Sequence, residues 1–209
     1  MSKNIRKMAI ITLLSLCQFT FEGNSENILE GTTFNGIKHL KDENLNALTV
    51  NGFLSFHSIT ISKNLSINGS AKGKKLKCKN FEINGSLNGE DISAEKLEIN
   101  GSLKGSNINI TGETKISGNI NASESKFNDI EILTKNSVLS NSSAKNILVK
   151  KEKNGEKQIL KLKDGSIISG DIVFESESGE IHIDDTVKIN GKIKGAKVTK
   201  LSENIKEGN

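Results

Sequence analysis

Few residues in this chain are of a type that carries chemistry. Cys78 sits in Leu76-Lys77-Cys78-Lys79. Neighbouring ammonium groups lower a thiol's pKa and make it reactive. Leu76 and Cys78, however, hold the places that Ile92 and Ala94 take sixteen residues later, so a small buried core residue is the expected role. His39, His57 and His182 lie far apart and have no Cys or His at metal-ligand spacing. Glu90-Asp91 and Asp184-Asp185 are adjacent acids at turns. Glycosidases work with two carboxylates, but here no Trp or Tyr offers a sugar platform and the only Arg is Arg6. The sequence therefore predicts no catalytic residue, no cofactor and no metal ligand. Lys72 to Lys75 reads as a charged, solvated face.

One pattern is stronger than any of these. Ile-Asn-Gly recurs at Ile67, Ile83 and Ile99, a period of 16 residues. Leu65, Phe81 and Leu97 return with it, as do Ser70, Ser86 and Ser102, and Gly73, Gly89 and Gly105. A fixed period marks a repeat architecture. Within a unit the apolar residues are two apart, as in Phe81-Glu82-Ile83, which is the period of a half-buried strand. Sixteen residues are too few for a helix pair or a propeller blade. The pattern predicts an all-β, single-stranded β-solenoid of about 16–17 residues per coil, in which short strands stack in parallel on those of the next coil. Leu87, Ile92, Leu97, Ile99 and Leu103 should face inward and Glu98 outward. Asn51, Asn68, Asn84, Asn100 and Asn190 fall at one position of the repeat and should stack as an amide ladder.

The register extends from Leu48-Thr49-Val50-Asn51-Gly52 through Thr114-Lys115-Ile116-Ser117-Gly118. Ile130-Glu131-Ile132 and Ile147-Leu148-Val149 keep the alternation alone, and Val187 to Gly195 restores the full signature. That makes about nine coils and a rod of roughly 40 Å at about 4.8 Å per coil. The expected divisions are a leader at 1–17, an irregular segment or cap at 18–44 and the solenoid at 45–198. Within the solenoid 133–163 is irregular, and a polar tail follows at 199–209.

Composition fits a narrow solenoid better than a broad globule. Hydrophobic residues make up 34% of the chain, aromatics only 4%, and Pro is absent, so no ladder position lacks its N–H. Without Lys3, Arg6 and Lys7 the 29 basic residues become 26 lysines against 25 acids. A near-neutral chain without Arg, Trp or Tyr beyond the leader lacks the forks and rings of nucleic-acid recognition. No nucleic acid and no small-molecule substrate are expected.

The first 17 residues have the parts of a secretory signal: Lys3, Arg6 and Lys7, then the apolar run Met8 to Leu16, then Ser15-Leu16-Cys17 before a cut at Gln18. The alternative is a lipid on Cys17, for which Leu16 is an unusual preceding residue. Either way the chain is expected to be exported, to a periplasm, a cell surface or the medium.

The units INGSLNGEDISAEKLEINGSLKG and INGKIKGAKV resemble the bactofilin, or polymer-forming cytoskeletal, family. The shared core is Gly-x-apolar-x-Gly/Ala, here Gly85-Ser86-Leu87-Asn88-Gly89, Gly118-Asn119-Ile120-Asn121-Ala122 and Gly191-Lys192-Ile193-Lys194-Gly195. The resemblance covers about 48–132 and 165–198. It implies a right-handed β-helix that assembles end to end without nucleotide and acts as a scaffold. The export signal and the irregular middle depart from that family. The expectation is an exported, non-enzymatic structural solenoid of a bacterial cell envelope that self-associates through its coil ends. A surface adhesin or ligand-binding solenoid, with a partner at the cell envelope, is the alternative.

Overall fold

The computed structural model describes residues 31–201. The expected leader, Cys17, the first part of the 18–44 segment and residues 202–209 of the tail lie outside the described residues. The rest is one all-β solenoid of about ten turns with about 17 residues per coil. Its fifteen strands form a single sheet, and the pairings between them are parallel. Leu48–Ala94 and Lys96–Ser123 each run through more than one coil without leaving the ladder.

Alternation explains the winding. A coil has three short faces, and each face sends two side chains inward. In coil 97–113 these are Leu97 and Ile99, then Leu103 with Gly105, then Ile108 and Ile110; every one of the five apolar side chains is at most 2% exposed. Each rests on its counterpart one coil away, with Leu97 on Phe81, Leu103 on Leu87 and Ile108 on Ile92. Burying an aliphatic side chain is worth about 1.5–3 kcal/mol, and one residue per column per coil keeps the supply continuous. Leu87, Ile92, Leu97, Ile99 and Leu103 all lie inside, at no more than 1% exposure. Glu98 is half-exposed.

The corners use two different devices. Between the first and second faces an Asn-Gly pair turns the chain. Gly52, Gly69, Gly85 and Gly101 have φ between +142° and +145°, which side chains rarely adopt. Each lies against the glycine of the preceding coil: a Cβ on Gly85 would stand 1.8 Å from the Gly69 carbonyl oxygen. Between the second and third faces, Asp42, Ser58, Lys75, Asp91, Asn107, Glu124, Asn141 and Asp164 form a column with φ between 46° and 58°. No glycine is used there.

Three boundaries differ from expectation. The stack begins before residue 45: Thr32–Lys41 pairs residue for residue with 48–57, placing Asn35-Gly36 on Asn51-Gly52. Thr33 and Ile37 do not announce the motif, which is why the segment reads as irregular. The stretch 133–163 is largely regular, since Asn136–Ser140 and Asn146–Val149 pair with the coils on both sides. Its polar look arises because Ser137 and Ser142 occupy inward positions. Only Lys150 to Gln158 leaves the ladder, and it does so at the corner where other coils have Asn-Gly. Finally, Val187 to Gly195 does not restore the register. Ile189 stacks on Ile168 of the third face, whereas Ile67 belongs to the first. The intervening coils run to 25 and 21 residues, the separations of Asn146 from Asp171 and of Asp171 from Lys192, so the same short pattern returns one corner away.

Candidate functional site

The surface is built from side-chain ladders, and its most regular feature is the asparagine column at the first corner. Asn51 Nδ2 donates to Asn35 Oδ1 at 2.9 Å, Asn68 to Asn51 at 2.8 Å, Asn84 to Asn68 at 3.0 Å and Asn100 to Asn84 at 2.9 Å. An amide carries both a donor and an acceptor, so identical residues one coil apart satisfy each other. Four of the five predicted rungs are present. Asn190 is not among them, because the late coils are displaced by one corner, and Asn35 heads the ladder instead. Shorter ladders join Asn80 to Asn64, Ser86 to Ser70, Asn107 to Asp91 and Asn146 to Asp129.

A second column lies inside and has no signature in the sequence. Ser125, Ser142 and Ser166 replace the isoleucines of the third face and are at most 4% exposed. Each accepts a main-chain N–H from the coil before it: Ser125 Oγ from Ile108, Ser142 Oγ from Ser125, Ser166 Oγ from Ser142. Each hydroxyl also donates to a carbonyl, Ser125 to Ser123, Ser142 to Ser140 and Ser166 to Lys163. Buried hydroxyls are tolerated when both roles are filled. The signal available in the sequence is the spacing of 17 between Ser125 and Ser142, which is hidden by the abundance of serine.

The residues singled out for chemistry are not brought together. Cys78 is buried, 7% exposed, and desolvation pushes its thiol up to about 12. Lys77 and Lys79 point away from it, as alternation requires, so the thiol is protonated and inert at neutral pH. His39 faces Ser55 of the next coil and His57 faces Lys41, both on the exposed side. His182 is at the far end, 3.1 Å from Glu180 Oε2. Glu180 also meets Lys157 at 2.6 Å, and these two partners hold its carboxyl below the usual range. Glu90 pairs with Lys74, and Asp91 forms the left-handed corner. Asp184 accepts from the Thr186 hydroxyl and from the main chain at Asp164 and Thr186, which holds its carboxyl low. These acids close turns.

Two recesses interrupt the faces. One of about 90 Å³ lies between Glu98, Lys115 and Glu131. The other, about 180 Å³, lies among Glu124, Lys126, Asn141 and Ile167. Both are smaller than the roughly 300 Å³ at which small-molecule pockets begin. Among the described residues no three His, Cys, Asp or Glu side chains are grouped to hold a metal ion.

The two ends of the stack differ. At the first, Lys38 takes the inward position that Leu54 holds one coil later, and its Nζ lies over the Phe34 ring at 4.2 Å. At the last, Ala196–Lys200 pairs inward with Gly179–Ile183 and no described strand pairs with its outer edge. Ile193 is partly buried against the core and Val198 is 41% exposed. Comparison with known proteins finds no family model, no curated protein and no solved structure that matches this chain.

Proposed function

We propose that this protein is a non-enzymatic structural scaffold, exported to a bacterial cell envelope, that associates through its C-terminal coil. The observation that carries the reading is the outer edge of Ala196–Lys200, which no described strand pairs. A parallel stack ends in unpaired N–H and C=O groups, and such an edge recruits another strand unless something blunts it. The first coil has a device of that kind: an inward lysine that covers Phe34. At the last coil Val198 is exposed and Ile193 partly so, beside ladder groups that no described strand pairs. The leader expected from residues 1–17 supports export, and the resemblance to bactofilins supports a scaffold.

Charge sets the conditions for such a contact. Lys188, Lys192, Lys194, Lys197 and Lys200 lie at this end. Only Lys200 has an ion-pair partner among the described residues, Asp185 at 2.8 Å, and both are largely exposed. Two copies meeting at this end repel each other at low ionic strength, and salt screens that repulsion within about 10 Å at 0.1 M. Association should therefore strengthen as salt is added. Light scattering of the full chain over a concentration series, with and without Ile193→Lys and Val198→Lys, tests the reading. Oligomers that the double variant abolishes are expected. A monomer at every concentration and salt overturns the scaffold and leaves a surface adhesin, whose partner is another molecule.

A further inference from the structure

Asn-Gly occurs eight times, at Asn35, Asn51, Asn68, Asn84, Asn88, Asn100, Asn154 and Asn190. This dipeptide is chemically labile. The Gly nitrogen, on losing its proton to solvent, bonds to the Asn Cγ. The Cγ–Nδ2 bond breaks and ammonia leaves. Water then opens the five-membered imide at either carbonyl, giving aspartate or isoaspartate. Nothing is oxidised or reduced, and water is the only co-reactant. The reaction requires the Asn side chain to rotate onto the following nitrogen and the main chain to bend around it.

The solenoid opposes one or both movements at seven of the eight places. Asn88 has no ladder amide, but its main chain runs within Leu48–Ala94 and pairs with Lys104, and Gly89 is buried and pairs with Gly105. Five asparagines have their amides tied into the coil-to-coil ladder. The glycines after Asn51, Asn68, Asn84 and Asn100 lie so close to the coil before them that no Cβ would fit. Asn190 is outside the ladder, but its N–H donates to the Ile168 carbonyl at 2.9 Å, and Gly191 lies against the Gly170 carbonyl. Asn154 has neither restraint. It stands at the tip of the 150–158 excursion, exposed, with no atom within 4 Å of where a Gly155 Cβ would be. The turn is closed by one long bond, Gly155 N–H to the Glu152 carbonyl at 3.2 Å.

We propose that Asn154 is a site of spontaneous deamidation and that the fold protects the other seven Asn-Gly sequences. The product puts a carboxylate among Lys150, Lys151, Lys153 and Lys157. It leaves the base of the excursion intact, where Gln158 Nε2 donates to the Thr134 and Lys150 carbonyls at 3.1 and 2.7 Å and Lys150 meets Glu175 at 2.7 Å. The excursion thus changes charge with age while the solenoid stays folded.

The test is peptide mass mapping of the full chain after incubation in mildly alkaline buffer, with a parallel sample in urea. In the folded chain the Asn154 peptide should gain the amide-to-acid mass at least about tenfold faster than any ladder peptide, because reaction in the ladder waits on local opening. In urea the eight sites should converge, and Asn154→Gln should remove the modified species from the folded sample. Conversion of Asn84, Asn88 or Asn190 as fast as Asn154 in the folded chain overturns the proposal. So does an unconverted Asn154 under conditions where the urea sample reacts.

Discussion

Gly85→Ala should strongly destabilise the solenoid although it adds only a single methyl group. Gly85 has φ +144°, and an alanine held there costs about 1–3 kcal/mol. The new Cβ would also stand 1.8 Å from the Gly69 carbonyl oxygen, where ordinary contact begins at 3.4 Å. Neither side can give way alone. Gly69 is backbone, clamped in turn against Gly52, and Gly101 presses on Gly85 from the other side. Relief requires the two coils to part by about 1.5 Å at the corner, which stretches ladder bonds worth about 1 kcal/mol each. The Asn84 to Asn68 amide bond is among those lost. The sum is about 4–6 kcal/mol, a large part of the roughly 5–15 kcal/mol that holds a domain folded.

Urea titration followed by far-UV circular dichroism reads this directly, since the chain has no Trp or Tyr to serve as a fluorescent probe. Gly155→Ala is the control. Its φ is +65° and its surroundings are open, so the left-handed conformation alone is charged, at about 1 kcal/mol. Equal midpoints for the two variants would refute the claim that glycine stacking holds the corner.

Three further outcomes follow from particular contacts. Thr114 fills an inward position between Leu97 and Ile130, and its buried Oγ1 has no partner, so Thr114→Val should raise stability by about 1 kcal/mol in the same titration. The Cys78 thiol should resist a thiol reagent until urea unfolds the chain; labelling as fast as that of a free thiol would place it outside the core. Glu175, Glu180 and Asp184 all have carboxyls held below their ordinary values by Lys150, Lys157 and Thr186 respectively. A depressed folded-state value contributes stability above the ordinary value, and this is lost as pH falls through the depressed one. Acid below pH 4.5 should therefore raise hydrogen exchange in coils 147–192 before it does so in coils 65–113; uniform exchange would contradict it.

Where the repeat is exact, the sequence yields the fold to single residues. In 65–110 the period is 16, and the inward column, the Asn ladder and the glycine corner all follow from it. Legibility fails for three physical reasons. First, a coil position specifies packing and not identity, so Phe34 or Ser137 fills an apolar column unseen when the surrounding pattern is weak. Second, a short Asn-Gly turn can serve at more than one corner of a coil. After the coils of 25 and 21 residues, Ile189-Asn190-Gly191 therefore imitates a motif from another corner. Third, the candidate association edge is a property of where the stack stops, and no residue type marks that.

The two corner columns show how differently sequence can be constrained within one coil. At the first corner the main chains of successive coils touch, and only glycine leaves room. At the second the chain also turns left-handed, yet Asp, Ser, Lys, Asn and Glu all occupy it, at φ between 46° and 58°. A left-handed residue costs an ordinary side chain about 1–2 kcal/mol, which the buried columns on either side supply many times over. The side chains there are exposed or half-exposed, and Asn107 donates to Asp91 one coil away. Steric contact, and not the sign of φ, therefore decides where the repeat must be conserved from coil to coil. That is why Asn-Gly is visible in the sequence and the second corner is silent. The same distinction locates the freedom in the molecule: charge can change along the second corner and in the 150–158 excursion without disturbing the stack. It cannot change along the first corner, where the ladder amides and the glycines are held by the coils on both sides.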